Sequence, residues 1–183
     1  MVHNLAWFLL LEGVYIKRIL GIDPGTAIVG FGVVELVGGD SYKYITSGTI
    51  QTPKTLNSGQ RLSMIRRDML SLLEEYKPDE VAVEAIFFFK NAKTLVPVSQ
   101  ARGVIIESVT TFGCPCFEYT PMQAKMCLTG YGKADKKMIQ ETVRVVLNLN
   151  EVIKPDDASD ALAMAISHIR MKPEQRLLAR GKG

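Results

Sequence analysis

Short apolar stretches near the start of the chain have the composition of β-strands. Residues 16–23 and 28–36 are rich in β-branched side chains and are separated by Pro24 and Gly25, a pair that favours a tight turn. This arrangement predicts two strands of a hairpin. Residues 42–52 alternate apolar and polar side chains well enough to form a third strand. The fold is therefore expected to open with three consecutive strands.

Later stretches repeat apolar residues at helical spacing. The first helix ends before Pro78 and is indicated by residues three and four positions apart: Leu62, Ile65, Met69, Leu72, Leu73 and Tyr76. Strands are predicted at 79–86 and 114–121, and further helices over 94–111, 121–129 with Thr120 as its cap, 135–149 and 155–171. Strands that come first and then alternate with helices predict an α/β domain, a mixed five-stranded sheet with helices on both faces.

Composition agrees with a single globular domain. The chain has 183 residues, of which 47% are hydrophobic and 22% charged, so it is long enough to bury a substantial core. The net charge of +3 says little about partners. No apolar run approaches the roughly 18 to 20 residues that a membrane-spanning helix needs, so no membrane association is expected.

The two ends are expected to lie outside this domain, which is predicted to span residues 16–171. Residues 1–15 are apolar but short, and they lack a preceding basic region and a convincing cleavage site. They are interpreted as an N-terminal extension. A misassigned translation start is one explanation of this extension. Residues 172–183 form a basic tail. The three cysteines have neither zinc-ligand spacing nor a disulfide framework, which favours reduced thiols and a cytoplasmic location.

Two carboxylates interrupt apolar strands. Asp23 ends the first strand just before Pro24, where an Asp side chain often hydrogen-bonds to the following backbone. Glu84 lies within the apolar stretch VAVEAIFFF, where an ionised acid is costly unless it is paired, protonated or bound to a cation. A turn role accounts for Asp23 taken alone, but the second misplaced acid weakens that explanation.

A third group of acids opens the last predicted helix. Asp157 and Asp160 are three residues apart in its first turn, so they share one helix face. The helix dipole is the ordinary explanation for acids at this position. If they converge with Asp23 and Glu84, the site offers only oxygen ligands, which select Mg²⁺ or Mn²⁺ over zinc. Two such ions would activate water for phosphodiester hydrolysis.

Five segments of the chain together resemble one family. The RuvC-type Holliday junction resolvases, whose fold is of the ribonuclease H class, are similar in order and spacing to LGIDPGTAIVGFGVV, VAVEAIFFFKNAKT, SQARGVI, YTPMQAKMCLTGYGKADKKM and DDASDALAMAISH. Five motifs in the right order are far more specific than the first alone. The resemblance implies that Asp23, Glu84, Asp157 and Asp160 are the catalytic and metal-binding quartet.

The resemblance also implies an activity and partners. Enzymes of this family are homodimeric bacterial endonucleases that make paired, symmetric nicks in four-way DNA junctions. They use Mg²⁺, leave ligatable ends and act in recombination and DNA repair. A branch-migration complex of the RuvA and RuvB type is the implied protein partner.

Several DNA contacts are implied by the same resemblance. Phe87 matches an aromatic residue that stacks on bases near the junction centre, although a core residue at a strand end explains its position equally well. Lys125 and Lys136 match basic residues near the scissile phosphate. The segment with Lys133, Lys136 and Lys137 follows two glycines and looks like a phosphate-contacting loop, although solvation is the default role of a surface lysine.

Three further polar residues are judged individually. Arg102 is another candidate for a DNA contact. Asp156 does not fall on a catalytic position of the motif and is expected to face solvent. His168 follows Asp157 by eleven residues, which is roughly 16 Å along an ideal helix. It is therefore expected to serve in packing or helix capping and not as a ligand of the same ion.

Three other functions share parts of this pattern. The GIDPGT turn resembles the phosphate loop of actin-like and sugar-kinase ATPases, but those enzymes enclose a nucleotide between two domains and one is predicted here. A ribonuclease H-like nuclease that acts in RNA processing is the second alternative, and a non-catalytic junction-binding module is the third. The segment around Phe87 and the DDASDAL motif favour a resolvase over the second, and four acids argue against the third.

Overall fold

Five strands and five helices make up the part of the chain that the computed structural model describes, residues 16–39, 41–86, 92–171 and 179–180. The strands are β1 (Ile16–Asp23), β2 (Ile28–Val37), β3 (Tyr42–Gln51), β4 (Glu80–Glu84) and β5 (Cys116–Tyr119). The helices are α1 (Ser58–Tyr76), α2 (Ala92–Phe112), α3 (Pro121–Thr129), α4 (Lys136–Val146) and α5 (Asp156–Arg170). In these ranges no helix is both long and apolar enough to cross a bilayer.

One sheet holds the five strands in the order β3-β2-β1-β4-β5. β1 pairs antiparallel with β2, and β2 pairs antiparallel with β3, as the predicted hairpin requires. β1 and β4 pair in parallel, as do β4 and β5. The prediction of a mixed five-stranded sheet is confirmed. Because β1 and β4 run in the same direction, their carboxyl ends lie at the same edge of the sheet.

Helices α1 and α2 cover one face of the sheet. The buried side chains of this layer include Leu20, Ile22, Val33, Val81 and Val83 from the strands, and Ile65, Met69, Leu73, Ile105 and Val109 from the helices. Full burial of an aliphatic side chain of this size stabilises the fold by about 1.5 to 3 kcal/mol. The helical periodicity read from the sequence therefore marks the face of α1 that meets the sheet.

Helix α5 lies on the opposite face, between the sheet and the pair α3 and α4. Its residues are buried from Ala158 through Ile169 with the exception of Asp160, because packed elements surround it on both sides. Its backbone approaches β1 so closely that a Cβ atom on Gly21 would lie 2.0 Å from the carbonyl oxygen of Ala161. This close backbone contact fixes the position of the first turn of α5 relative to the strand ends.

The boundaries of several elements differ from those predicted, and β5 and α4 are shorter than expected. β4 ends at Glu84, so the prediction that this strand continues to residue 86 is wrong, and Glu84 lies at a strand end. The run of apolar residues after Glu84 carries no signal for where the strand stops. α2 begins at Ala92, two residues before the predicted start, and contains Pro97. Thr120 caps α3 as predicted, since its Oγ1 accepts a hydrogen bond from the backbone N–H of Gln123 at 3.2 Å.

The two chain ends were predicted to lie outside the domain. Residues 1–15, 172–178 and 181–183 are outside the described residues. Arg180, from the predicted basic tail, forms an antiparallel bridge with Phe117 at the free edge of β5. Ala179 packs against the layer beneath α5. At least these two tail residues therefore contact the domain.

Candidate active site

Asp23 and Glu84 lie side by side at the ends of two parallel strands. The register of β1 and β4 pairs Ile22 with Val83, and each acid is the next residue and the last of its strand. Side chains alternate along a strand, so Glu84 points to the same side as Ala82, which packs in the layer under α5. The carboxyl groups of Asp23 and Glu84 share a hydrogen bond.

Helix α5 brings two more acids to this edge. The backbone of Asp157 rests on Gly30, which is the β2 partner of Asp23. A Cβ atom on Gly30 would lie 2.0 Å from the carbonyl oxygen of Asp157, so a residue with no side chain is required there. Asp160 follows three residues later on the same helix face. The structure thus gathers Asp23, Glu84, Asp157 and Asp160, as the sequence predicted.

Burial and the charges of neighbouring acids raise the pKa values of Asp23, Glu84 and Asp160. Burial, together with the negative charges of Glu84, Asp160 and Asp157, raises the pKa of Asp23 to about 8. Burial also raises the pKa of Glu84, while the charge of Lys125 opposes that rise. Carboxylates that share a half-buried site disfavour one another's ionisation. The cluster therefore holds more negative charge than the neighbouring side chains compensate.

Lys136, at the start of α4, forms ion pairs with two acids of α5. Its Nζ lies 3.2 Å from Oδ2 of Asp156 and 3.5 Å from Oδ2 of Asp160. Burial raises the pKa of Asp160, and the Lys136 cation opposes this effect. Asp156 also accepts hydrogen bonds from Gln140 and Lys154, and its side chain is 43% exposed. Asp156 therefore faces solvent, as expected, and binds the lysines around it.

A cavity of about 240 Å³ opens beside Glu84 and Asp160. Lys125 and Lys136 line its polar side, and its apolar wall consists of Pro121, Ala124, Leu128, Ile139, Ala163 and Met164. The Nζ of Lys125 donates a hydrogen bond to the carbonyl oxygen of Ala134 at 2.9 Å, which holds the lysine at the cavity. Both lysines that the family resemblance places near a scissile phosphate thus lie next to the acidic cluster.

The donor set fits a hard divalent cation. Across the described ranges no three acidic, histidine or cysteine side chains are arranged to surround a single ion. Asp23 and Glu84 are hydrogen-bonded to each other, and Lys136 holds Asp160. All four donors are nevertheless carboxylates, the ligands that Mg²⁺ and Mn²⁺ prefer, and a divalent charge would relieve the repulsion between them.

The other predicted DNA contacts have different surroundings. Lys133 and Lys137 are exposed at the loop between α3 and α4 and at the start of α4. Arg102 pairs with Glu118 of β5, and its side chain is only 23% exposed. A phosphate at this place would compete with the Glu118 carboxylate for the guanidinium, and the DNA contact of Arg102 stays a prediction. Phe87 lies outside the described residues.

His168 lies toward the other end of α5 from the acids. It is fully buried, with Nε2 2.5 Å from Oε2 of Glu80 and Nδ1 2.6 Å from the hydroxyl of Tyr119. Burial alone would raise the pKa of Glu80, but hydrogen bonds from His168 and Lys17 lower it to about 2. His168 therefore packs inside the domain, as expected, and joins α5 to β4 and β5.

The sequence prediction missed the glycines that allow α5 to pack closely against the sheet. A Cβ atom on Gly21, Gly30 or Gly32 would lie 2.0, 2.0 or 2.7 Å from atoms of this helix. A signal was present, because a glycine inside a strand often marks the close approach of another backbone. Gly30 and Gly32 are two residues apart, which places them on one face of β2.

The sheet order and the acids define a class of protein. A mixed five-stranded sheet in this order, covered by helices and with carboxylates at the ends of two adjacent parallel strands, has the fold of the ribonuclease H-like class. The family model described as Crossover junction endodeoxyribonuclease RuvC matches residues 19–168. The chain belongs to this RuvC family.

Known proteins agree with this membership. A crossover junction endodeoxyribonuclease RuvC from Brevibacillus brevis is 53% identical over 155 residues, which are 85% of this chain and 93% of that protein. The structure of Thermus thermophilus RuvC in complex with Holliday junction substrate is 30% identical with a TM-score of 0.81, and covers 90% of this chain and 98% of that one. The yeast mitochondrial Holliday junction resolvase Ydc2, 13% identical, shares the fold with a TM-score of 0.62 over 84% of this chain and 79% of its own. An RNA-processing nuclease and a non-catalytic module are not favoured.

Proposed function

We propose that this protein resolves four-way DNA junctions by hydrolysing two symmetric phosphodiesters, in homologous recombination and DNA repair. The observation that carries this function is the gathering of Asp23, Glu84, Asp157 and Asp160 at one edge of the sheet in a RuvC-family chain. Four mutually repelling carboxylates destabilise a protein that has no use for them. A catalytic role explains their retention, whereas a purely DNA-binding role does not.

The cofactor we assign is Mg²⁺, with two ions per site and Mn²⁺ as a substitute. Asp23, Glu84, Asp157 and Asp160 are the residues that would hold the ions, since both acids that line the cavity, Glu84 and Asp160, belong to this group. When bound, such ions lower the pKa of water and neutralise charge that develops on the phosphate. The raised pKa of Asp23 supports this assignment because an ionised cluster needs a counter-charge.

The side chains of the chain itself orient the reacting groups. The carboxylates position the attacking water, whose oxygen forms a bond to phosphorus as the bond to the 3′ oxygen breaks. The products are a 5′ phosphate and a 3′ hydroxyl, which a ligase can rejoin. Lys125 and Lys136 line the cavity beside Glu84 and Asp160, where their charges stabilise the anionic phosphate. The reaction needs no covalent intermediate with the protein.

Binding of the junction is assigned to the basic surface next to the acids. Lys133 and Lys137 are exposed there and supply salt-dependent affinity for phosphates. Phe87 is retained as a base-stacking residue on the family resemblance. Selectivity for a junction comes mainly from shape, because two sites fixed in one assembly reach two symmetric phosphates only on branched DNA.

A homodimer is the assembly that this activity requires. Paired symmetric cuts need two copies of the site related by a two-fold axis. The protein partner we assign is a branch-migration complex of the RuvA and RuvB type. We place the protein in the cytoplasm, because the spacing of its three cysteines suits neither a disulfide framework nor a zinc site and favours a reducing compartment.

A junction-cleavage assay tests the function directly. The protein is incubated with a synthetic four-way junction or with linear duplex of the same sequence, in Mg²⁺ or in EDTA. We expect paired nicks at symmetric positions in the junction alone, in Mg²⁺ alone, and full religation by a ligase. Equal cutting of linear duplex, or no cutting of the junction in Mg²⁺, would refute the assignment.

A further inference from the structure

Three exposed apolar side chains form one surface on α3 and the loop after it. Met122, Met126 and Tyr131 are 65%, 53% and 54% exposed. Both methionines border Gly132, since a Cβ atom on Gly132 would lie 3.2 Å from Cγ of Met122 and 3.5 Å from Cε of Met126. Tyr131 precedes Gly132 directly. These three residues, here called the Met–Tyr patch, therefore lie around Gly132.

The backbone around Tyr131 is held by several hydrogen bonds. Its N–H donates to Oγ1 of Thr129 at 3.1 Å, and its carbonyl oxygen accepts from the N–H of Ala134 at 3.0 Å. Lys125 fixes the far side of the loop by donating to the carbonyl oxygen of Ala134. Gly130 takes the positive φ of 76° that turns the chain out of α3. A ring on such a fixed loop loses little conformational entropy when it meets a partner.

The charges around the patch are those of a nucleic-acid surface. Residues 121–138 contain one acid, Asp135, against four lysines, Lys125, Lys133, Lys136 and Lys137. The Asp135 side chain is used as the N-cap of α4, where it accepts a hydrogen bond from the N–H of Met138. Through Lys125 and Lys136 the surface continues to the cavity beside the acids. A polyanion bound at the acidic cluster would therefore extend across the patch.

We infer that Tyr131, supported by Met122 and Met126, stacks on an unpaired base of the bound DNA next to the cleaved strand. Among the exposed large apolar side chains of the described ranges, Tyr131 is the aromatic one. Base faces are covered in an intact duplex, so a ring of this kind finds a free base face only where the DNA is opened, as at a branch point. Methionine side chains adapt to whichever base is present, which makes the contact tolerant of sequence.

The inference rests on the proposed function, because that function supplies the DNA substrate. Binding measured in EDTA, which keeps the DNA intact, tests the stacking contact. The ligands are a four-way junction, a linear duplex, and a duplex with a three-base bulge. We expect Tyr131→Ala to weaken binding to the junction and the bulge about 5- to 100-fold, and binding to linear duplex little. The slope of affinity against salt should stay unchanged because no charge is removed. Tyr131→Phe should bind like the wild type.

A matched control and a crosslink separate stacking from other roles. Val145→Ala removes an equally exposed apolar side chain at the other end of α4, and we expect no change in affinity. Irradiation of bulged DNA that carries 5-iodouracil in the bulge should crosslink the base to Tyr131. Unchanged binding by Tyr131→Ala, equal losses in the Phe and Ala variants, or a change in oligomeric mass would each overturn the inference. The bulged duplex tests it even if the protein fails to cleave junctions.

Discussion

The carbonyl oxygen of Asp157 lies against Gly30, 2.0 Å from where a Cβ atom on Gly30 would stand. Gly30 is in turn the β2 partner of Asp23. The separation between an acid of the sheet and an acid of α5 is therefore set by contact between two backbones.

Gly30→Ala should disable the site from a residue that has no functional group. The added methyl group meets backbone that cannot yield, so we expect a loss of about 1 to 3 kcal/mol in the free energy of unfolding. Displacement of the first turn of α5 should also lower the cleavage rate. Gly103→Ala is the control, because Gly103 is exposed in α2 with nothing near its added Cβ. That variant should be stabilised by about 0.5 to 1 kcal/mol and should cleave normally. Chemical denaturation and a cleavage time course measure both effects.

Asp23→Asn should separate cleavage from binding. The amide keeps the shape of the side chain but removes a proposed ligand, and we expect the rate in Mg²⁺ to fall more than about 100-fold. Binding to a four-way junction should be nearly unchanged because the basic surface is intact. Asp156→Asn is the matched control, since Asp156 lies beside the cluster and binds lysines. Wild-type rates in Asp23→Asn, or equal losses in the two variants, would contradict the assigned metal site.

Replacing either cavity lysine should slow cleavage and flatten its salt dependence. We expect Lys125→Ala and Lys136→Ala to reduce the slope of log affinity against log salt by about 0.9 for each phosphate that the lysine would neutralise. Lys43→Ala is the control, because Lys43 is 64% exposed near the start of β3, at the opposite end of the sheet from Asp23. Titration of junction binding between low and moderate salt measures the slope. If the slope is the same in all three variants and the wild type, neither lysine contacts a phosphate and both are surface residues without a role in DNA binding.

The network of Glu80, His168 and Lys17 should stabilise the fold in a pH-dependent manner. Its hydrogen bonds lower the pKa of Glu80 from 4.5 to about 2. A carboxyl whose pKa is lowered by folding stabilises the native state above its unfolded pKa, and this contribution disappears as the pH falls through the folded pKa. The stability difference between wild type and Glu80→Gln should therefore be largest above pH 4.5 and shrink toward pH 2. Urea unfolding at several pH values measures it, and a constant difference would contradict the assignment.

Much of the sheet could be predicted because its signals are local. The Pro24–Gly25 turn between two β-branched runs marks the β1–β2 hairpin, and Asp23 stands out because it interrupts an apolar run. The acids of α5 are recognisable from their spacing in a first turn. Each of these features is written within a few neighbouring residues.

Other features depend on contacts between distant segments. Nothing in the sequence near Arg102 reveals that its guanidinium will form an ion pair with Glu118. The pairing of Lys136 with Asp160 likewise depends on how α4 packs beside α5. The end of β4 at Glu84 was missed because the apolar residues that follow give no stop signal. The close packing of α5 against the sheet depends on three glycines, on two strands, that all contact this helix.

Gly21, Gly30 and Gly32 also bear on engineering. Grafting the four carboxylates onto another sheet of the same order would fail if its first two strands carried side chains at the positions of these glycines. Those side chains would keep the helix too far from the strands. A successful transplant would have to copy three residues that contribute no functional group. Conversely, a single methyl group at one of them offers a way to switch off this nuclease while leaving every acid and every lysine in the sequence.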